Sequence, residues 1–252
     1  MKILSLFMKS IFESSLFANK CYNPELGFPY TKINKVCIPK LESSYKEEYS
    51  NFLIILDNGH GNDTKGKCSP CGTLKEYAYT RKVTAHLSKE LNQLGIANII
   101  LVPEENDISL QERVRRANAI YEKYKHEKKV FLISVHNNAS WNGNEWRSAR
   151  GWTTYTSKGH TESDIIAKHF YLAAETILGP KIIRKYEGDK NPDFEENFYI
   201  LYKTYCPALL TENFFMDNKF DCEYLLSEEG FQDVIDIHIQ GILSYIKEKL
   251  EN

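Results

Sequence analysis

Residues 51–61 read NFLIILDNGHG, and the fold follows from how this stretch behaves. Phe52, Leu53, Ile54, Ile55 and Leu56 form an apolar run with no polar alternation. That is the pattern of a strand covered on both faces, as inside a parallel sheet. The strand is expected over Asn51–Asp57, and it stops abruptly in the tight turn Asn58-Gly59-His60-Gly61. A second run of the same kind, KVFLISV at Lys129–Val135, stops at His136-Asn137-Asn138. A third, ALLT at Ala208–Thr211, stops at Glu212-Asn213. Ala97–Val102 (ANIILV) adds another short strand, and Gly151–Thr156 (GWTTYT) alternates as a strand does.

Between these strands the apolar period changes to that of helices. Val83, Leu87, Leu91 and Leu94 share one face of a helix expected over Thr73–Leu94, which ends at Gly95. Val114, Ala117 and Tyr121 do the same for Leu110–Lys125, and further helices are expected over Ser163–Leu178 and Gly230–Leu250. Strands alternating with helices predict an α/β fold: a mostly parallel twisted sheet with helices on both faces and its site at the carboxyl ends of the strands.

The 252 residues are enough for a full core, and 42% hydrophobic with 26% charged residues is an ordinary globular balance that excludes fibrous and disordered classes. A net charge of -2 lacks the basic excess of a nucleic-acid binder, so no nucleic-acid partner is expected. No run approaches the roughly 20 apolar residues of a membrane span, so no stable membrane insertion is expected either. Met1–Phe17 reads as an amphipathic helix, because Lys9 and Glu13 interrupt its apolar residues before they make a signal-peptide core. The six cysteines, Cys21, Cys37, Cys68, Cys71, Cys206 and Cys222, are accordingly expected to be reduced, in a cytosolic setting. Residues 1–50 show no strong period, and the chain divides into an N-terminal accessory segment, 1–50, and a catalytic domain, 51–252.

Four residues gather at one rim of the expected sheet. His60, His136 and Glu212 follow three strands, and Glu76 opens the first helix. Taken singly, each has a plain explanation. A histidine after a strand is ordinarily a turn residue, and a glutamate at a helix start is favoured by the macrodipole. A charge directly after ALLT is less ordinary unless it is paired or used. Their common location is what sets them apart. Two imidazoles and one carboxylate are a frequent ligand set for catalytic zinc, which keeps a position open for water. The other carboxylate is then available for proton transfer.

At this point the chain resembles the zinc-dependent N-acetylmuramoyl-L-alanine amidases of the amidase type 3 family. The likeness rests on Ile54–Gly61 with its Gly-His-Gly turn, on Glu76, and on Ser134-Val135-His136-Asn137-Asn138-Ala139. It extends to Pro207–Asn218, where Glu212, Phe215 and Asn218 fit a Glu-x-x-Phe-x-x-Asn pattern, and to Ser109-Leu110-Gln111-Glu112-Arg113 with Ala117-Asn118. It spans roughly residues 52–248 and leaves residues 1–50 outside. Asn58 stands where the family usually has proline, and Val102-Pro103 where it commonly has arginine. The resemblance implies one Zn²⁺ per chain held by His60, Glu76 and His136, with Glu212 as general base and then general acid. The substrate it implies is bacterial peptidoglycan, cleaved at the amide between the lactyl group of N-acetylmuramic acid and L-alanine.

The remaining features are read structurally. Cys68-Ser69-Pro70-Cys71 has the spacing of half a zinc knuckle, with no second pair to complete it. His86 and His169 fall on expected helices as surface or core-edge residues. Trp141, Trp146 and Trp152 follow the His136 strand, and the Asn142–Arg150 loop is a candidate substrate wall. A phage endolysin, cytoplasmic until lysis, is the expected setting, with a bacterial autolysin or sporulation amidase as the alternative. A non-catalytic peptidoglycan binder and a hydrolase of another amide are the competing functions. The first is disfavoured by the free carboxylate beside the ligand set, and product analysis separates the second.

Overall fold

The computed structural model describes residues 19–23, 28–32, 48–140, 144–179, 182–188 and 191–251. The amphipathic helix expected over Met1–Phe17 lies outside these residues, as do Cys37 and Trp141. Within the first 50 residues, β1 (Asn19–Asn23) and β2 (Phe28–Lys32) pair antiparallel, with Pro29 opposite Tyr22. Proline in a two-stranded ribbon need not donate to a neighbour. Short strands interrupted by proline leave little alternation to read, which is why the sequence did not announce them.

The main sheet contains β3 (Phe52–Asn58), β4 (Ala97–Ile100), β5 (Lys129–Asn138), β6 (Thr153–Thr156), β7 (Phe194–Glu195) and β8 (Ala208–Phe215). Their spatial order is β4-β3-β5-β8-β6-β7. β4, β3, β5 and β8 run parallel, β6 runs antiparallel to β8, and β7 runs parallel to β6. Every residue of β3 is buried, as its unbroken apolar run requires.

The helices are α1 (Glu76–Gln93), α2 (Leu110–Tyr124), α3 (Glu162–Leu178), α4 (Tyr199–Tyr202), α5 (Lys219–Leu226) and α6 (Glu228–Glu251). Phe52, Ile54 and Leu56 point into a core shared with Val83 and Leu87 of α1, Phe170 of α3 and Ile242 of α6. The alternate residues Leu53 and Ile55 point the other way, onto Val114 and Ala117 of α2 and Ile200 of α4. One strand thus feeds two cores, and helices cover both faces. Gly241 of α6 allows the close approach of α3, since a Cβ there would lie 2.6 Å from the Phe170 ring. Among the described residues, no helix is long and apolar enough to cross a membrane.

Two strands run longer than expected. β5 continues through His136 to Asn138, with an irregularity in its register to β8 between those residues, and β8 continues past Thr211 to Phe215. Polar residues end an apolar run without ending the backbone ladder. β7, α4 and α5 were not anticipated. α5 did carry a legible start: Asn218 caps it by accepting from Asp221 N at 3.2 Å.

Candidate metal centre

The parallel order places the carboxyl ends of β3, β5 and β8 side by side, and the site is built there. Gly59 N donates to Val135 O at 3.0 Å, which fastens the turn after β3 to β5. A Cβ on Gly59 would lie 2.4 Å from the His136 ring, so glycine is required for the imidazole to fit. His60 then adopts φ 59°, a left-handed conformation that is costly for a residue with a side chain. Its carbonyl is held there by Arg81 Nη1 at 2.8 Å, with Arg113 Nη2 at 3.4 Å.

Glu76 arrives from the side as the first residue of α1 and is 1% exposed. Its Oε1 lies 3.0 Å from His136 Nδ1 and accepts from Asn137 N at 3.0 Å, while its Oε2 lies 3.4 Å from His60 Nε2. The two imidazoles meet edge to face, with ring centroids 5.0 Å apart. One potential ligand atom from each of His60, Glu76 and His136 lies within 4.8 Å of the others. Ligands at ordinary zinc distances in a tetrahedron stand about 3.4 Å apart, so the cluster needs only a small contraction.

Glu212 faces this triad from β8, opposite His136 on one side and Thr153 on the other. Its Oε2 and Glu76 Oε2 are both buried without a hydrogen-bond partner. Buried carboxylate oxygens are seldom left so. Burial pushes the Glu212 carboxyl up to about 8; the charge of Glu76 adds to the rise, and His136 opposes it. Burial also pushes His60 down to about 4, against the pull of Glu76, so its imidazole is neutral and free to donate a lone pair. His136 behaves differently. Burial works against its charge, but the contact with Glu76 outweighs this and raises its pKa, while Glu76 is lowered by the same contact against its own burial. Two unpartnered carboxylate oxygens, a neutral imidazole and a second imidazole fit a dication such as zinc.

Behind the triad is a support that the sequence reading passed over. Arg113, 3% exposed, donates to Asp57 Oδ1 at 2.6 Å and to Asn58 O at 2.7 Å, and Ser134 Oγ donates to Asp57 Oδ2 at 2.6 Å. This network ties α2 to the ends of β3 and β5. Its signal was present in the sequence, since a charge at the end of a buried strand needs a partner and Arg113 stands in the Ser-Leu-x-x-Arg run. On the other side of the site, Asn213 Nδ2 donates to His136 O at 2.9 Å, and Asn213 Oδ1 accepts from Trp152 Nε1 at 3.1 Å. Trp152 is therefore a buried brace, while Trp146 is 41% exposed. Of the other features, His86 is exposed on α1 and His169 is buried between α3 and α6, where it meets Ser244 and Glu248. Cys68, Cys71, Cys206 and Cys222 are free thiols.

A mostly parallel α/β sheet with a His-Glu-His cluster at its carboxyl edge is the frame of a hydrolase. The profile of the N-acetylmuramoyl-L-alanine amidases matches residues 54–244, and the chain belongs to this family. Among solved structures, it is similar to an N-acetylmuramoyl-L-alanine amidase from Clostridium difficile 630, with a TM-score of 0.65 and 23% identity, covering 79% of this chain and 99% of that one. It is also similar to the catalytic domain of the amidase CwlV from Bacillus (Paenibacillus) polymyxa var. colistinus, with a TM-score of 0.61 and 20% identity, covering 78% and 98%. A third likeness is to the catalytic domain of the CD27L endolysin targeting Clostridia difficile, with a TM-score of 0.55 and 19% identity, covering 77% and 97%. No curated protein sequence matches the chain.

Proposed function

We propose that this protein is a zinc-dependent N-acetylmuramoyl-L-alanine amidase that cleaves peptidoglycan between the lactyl group of N-acetylmuramic acid and L-alanine. The observation that carries the reading is the triad of His60, Glu76 and His136 with the free oxygen of Glu212 beside it. His60, Glu76 and His136 would hold one Zn²⁺. When bound, such an ion lowers the pKa of water toward roughly 7 and polarises a carbonyl. Glu212 Oε2 takes the proton from the attacking water and hands it to the nitrogen of the departing L-alanine. Glu76 keeps His136 oriented through its Nδ1 contact, and Arg81 and Arg113 keep the His60 turn in its strained conformation. Digestion of purified peptidoglycan, with and without a chelator and followed by mass analysis, tests the reading. A new L-alanine amino terminus and a free lactyl carboxylate, both lost with the chelator, are expected. Cleavage of a different amide, or chelator-insensitive release, overturns it.

The setting we propose is a phage endolysin, cytoplasmic until the membrane opens, with residues 1–50 as an accessory segment to the catalytic domain 51–252. Protein produced in a bacterium is expected to stay in the cytosol and leave cells intact until they are permeabilised. Export with processing near residue 20 would favour a bacterial autolysin or sporulation amidase instead. A chain starting near Ser50 is expected to bind zinc and retain hydrolysis, and an insoluble product would make the segment part of the core.

A further inference from the structure

The sheet face that carries Glu212 continues into a group of aromatic rings that proton transfer does not use. Side chains two residues apart on a strand share a face. Glu212 therefore lies on the face of Leu210, which packs with Val114 of α2 and Ile200 of α4. On β6, Thr153 stands opposite Glu212 and Tyr155 opposite Leu210. Tyr155 is thus the diagonal neighbour of Glu212 on that face, a step of about 7–8 Å that long side chains and aromatic rings span.

From Tyr155 the rings follow one another outward. Phe194 of β7, the last strand in the order of the sheet, stands opposite Tyr155 with ring centroids 5.6 Å apart. Phe198, just before α4, lies 5.2 Å from Tyr155, and Tyr186 lies 5.9 Å from Phe194. Tyr202 is one helical turn beyond Phe198, its N donating to Phe198 O at 3.1 Å. The backbone holds this group in place. Tyr186 N donates to Pro192 O at 2.9 Å, Glu196 N donates to Thr156 O at 3.0 Å, and Gly188 leaves room for the Tyr186 ring, since a Cβ there would lie 2.3 Å from it. Tyr155 and Phe194 are half-buried, whereas Phe198, Tyr186 and Tyr202 are exposed. Single exposed aromatics are ordinary, but a contiguous set marks a binding surface.

We propose that Tyr155, Phe194, Phe198, Tyr186 and Tyr202 form a shelf on which sugar rings of the peptidoglycan glycan strand stack, leading from Glu212 to the edge of the sheet. This rests on the amidase reading above and adds where the glycan lies. The scissile carbonyl belongs to a lactyl group carried on the sugar itself, so the glycan passes within a few bonds of Glu212, and the shelf begins one diagonal step away. A pyranose ring presents faces of C–H bonds that pack on aromatic rings and a rim of hydroxyls that tyrosine hydroxyls can meet, which suits side chains with an apolar body and a wet tip. A peptide backbone offers no such faces.

The test titrates the full chain calorimetrically with a peptide-free oligomer of alternating N-acetylglucosamine and N-acetylmuramic acid, and follows the same mixture by saturation-transfer NMR. Saturable binding is expected, with saturation passing from aromatic protons to the sugar C–H protons. Phe198→Leu keeps an apolar side chain without a ring and is expected to bind about tenfold more weakly, as is Tyr186→Ala. Phe198→Trp keeps a ring and is expected to bind as the wild type does. Both positions are exposed, and thermal midpoints equal to that of the wild type check that the variants fold. No binding of the oligomer by the wild type, unaltered affinity in Phe198→Leu or Tyr186→Ala, or binding of a free stem peptide that these variants weaken instead, would overturn the proposal. The oligomer has no scissile amide, so this outcome is independent of the peptidoglycan digestion that decides the amidase reading.

Discussion

Glu76 and Glu212 stand on one rim with the same functional group, and their surroundings part them. Glu76 sits at a helix start, 1% exposed, with Oε1 pinned between His136 and Asn137 N. Those contacts hold its carboxylate in the charged form, against its burial. Glu212 projects from a strand opposite His136, keeps Oε2 without a partner, and is pushed by burial to about 8. Glu76 Oε2 lacks a hydrogen bond too, so the pinning of Oε1 and the direction of the pKa shift part the two: a pinned anion suits a ligand, and a carboxyl with a raised pKa suits a carrier of protons. The difference lies in what each oxygen touches rather than in residue type.

The sharpest way to break this contrast is to remove the residue that both carboxylates face. His136→Ala is expected to abolish metal binding and hydrolysis together, measured as zinc content beside peptidoglycan turnover. Retained zinc in that variant would dissolve the triad. Next come the carboxylates themselves. Glu212→Gln is expected to keep zinc while the rate falls by roughly 10²–10⁴. Glu76→Gln is expected to lose zinc and rate in parallel, with partial recovery in excess zinc. If a zinc-loaded Glu212→Gln enzyme turned over near the normal rate, the proton carrier would have to be another group.

A smaller effect is expected from the support. Arg113→Met leaves Asp57 buried without its ion pair, which should cost about 3–5 kcal/mol of stability, read as a lower midpoint in denaturant. A loss well below that would mean that Ser134 alone satisfies Asp57.

The smallest effect is in pH dependence. In metal-free protein the Glu212 carboxyl binds its proton more tightly folded than unfolded, since its pKa rises from 4.5 to about 8. The stability it contributes is full below about 4.5 and is lost as pH rises through about 8. His60, lowered from 6.5 to about 4, acts in the opposite sense between those two values. From pH 6.5 to 8 the Glu212 contribution therefore stands apart from that of His60, and the metal-free wild type should lose more stability over this range than Glu212→Gln. Parallel slopes for the two proteins would remove the raised pKa from the argument.

Much of this was legible without coordinates. NFLIILD, KVFLISV and ALLT are apolar at their buried positions except Asp57, Ser134 and Thr211 near their carboxyl ends, as a strand covered on both faces requires. The Gly-His-Gly turn, the helix-start glutamate and the residues after each run were therefore placed at one rim by periodicity and topology together. The continuation of β5 and β8 through polar residues was not legible, because Asn137 is buried, and His136 and Glu212 half-buried, by neighbours distant in the chain. Neither was the demand for Gly59, which comes from an imidazole on another strand. The Asp57–Arg113 pair is likewise a contact between segments that only folding brings together. Sequence by itself determined the longer strands and helices and the candidate ligand types, since those depend on local pattern and side-chain chemistry. Tertiary structure alone decided which carboxylate is pinned by His136 and Asn137 and which has its pKa raised by burial, because hydrogen-bond partners and desolvation belong to the assembled site.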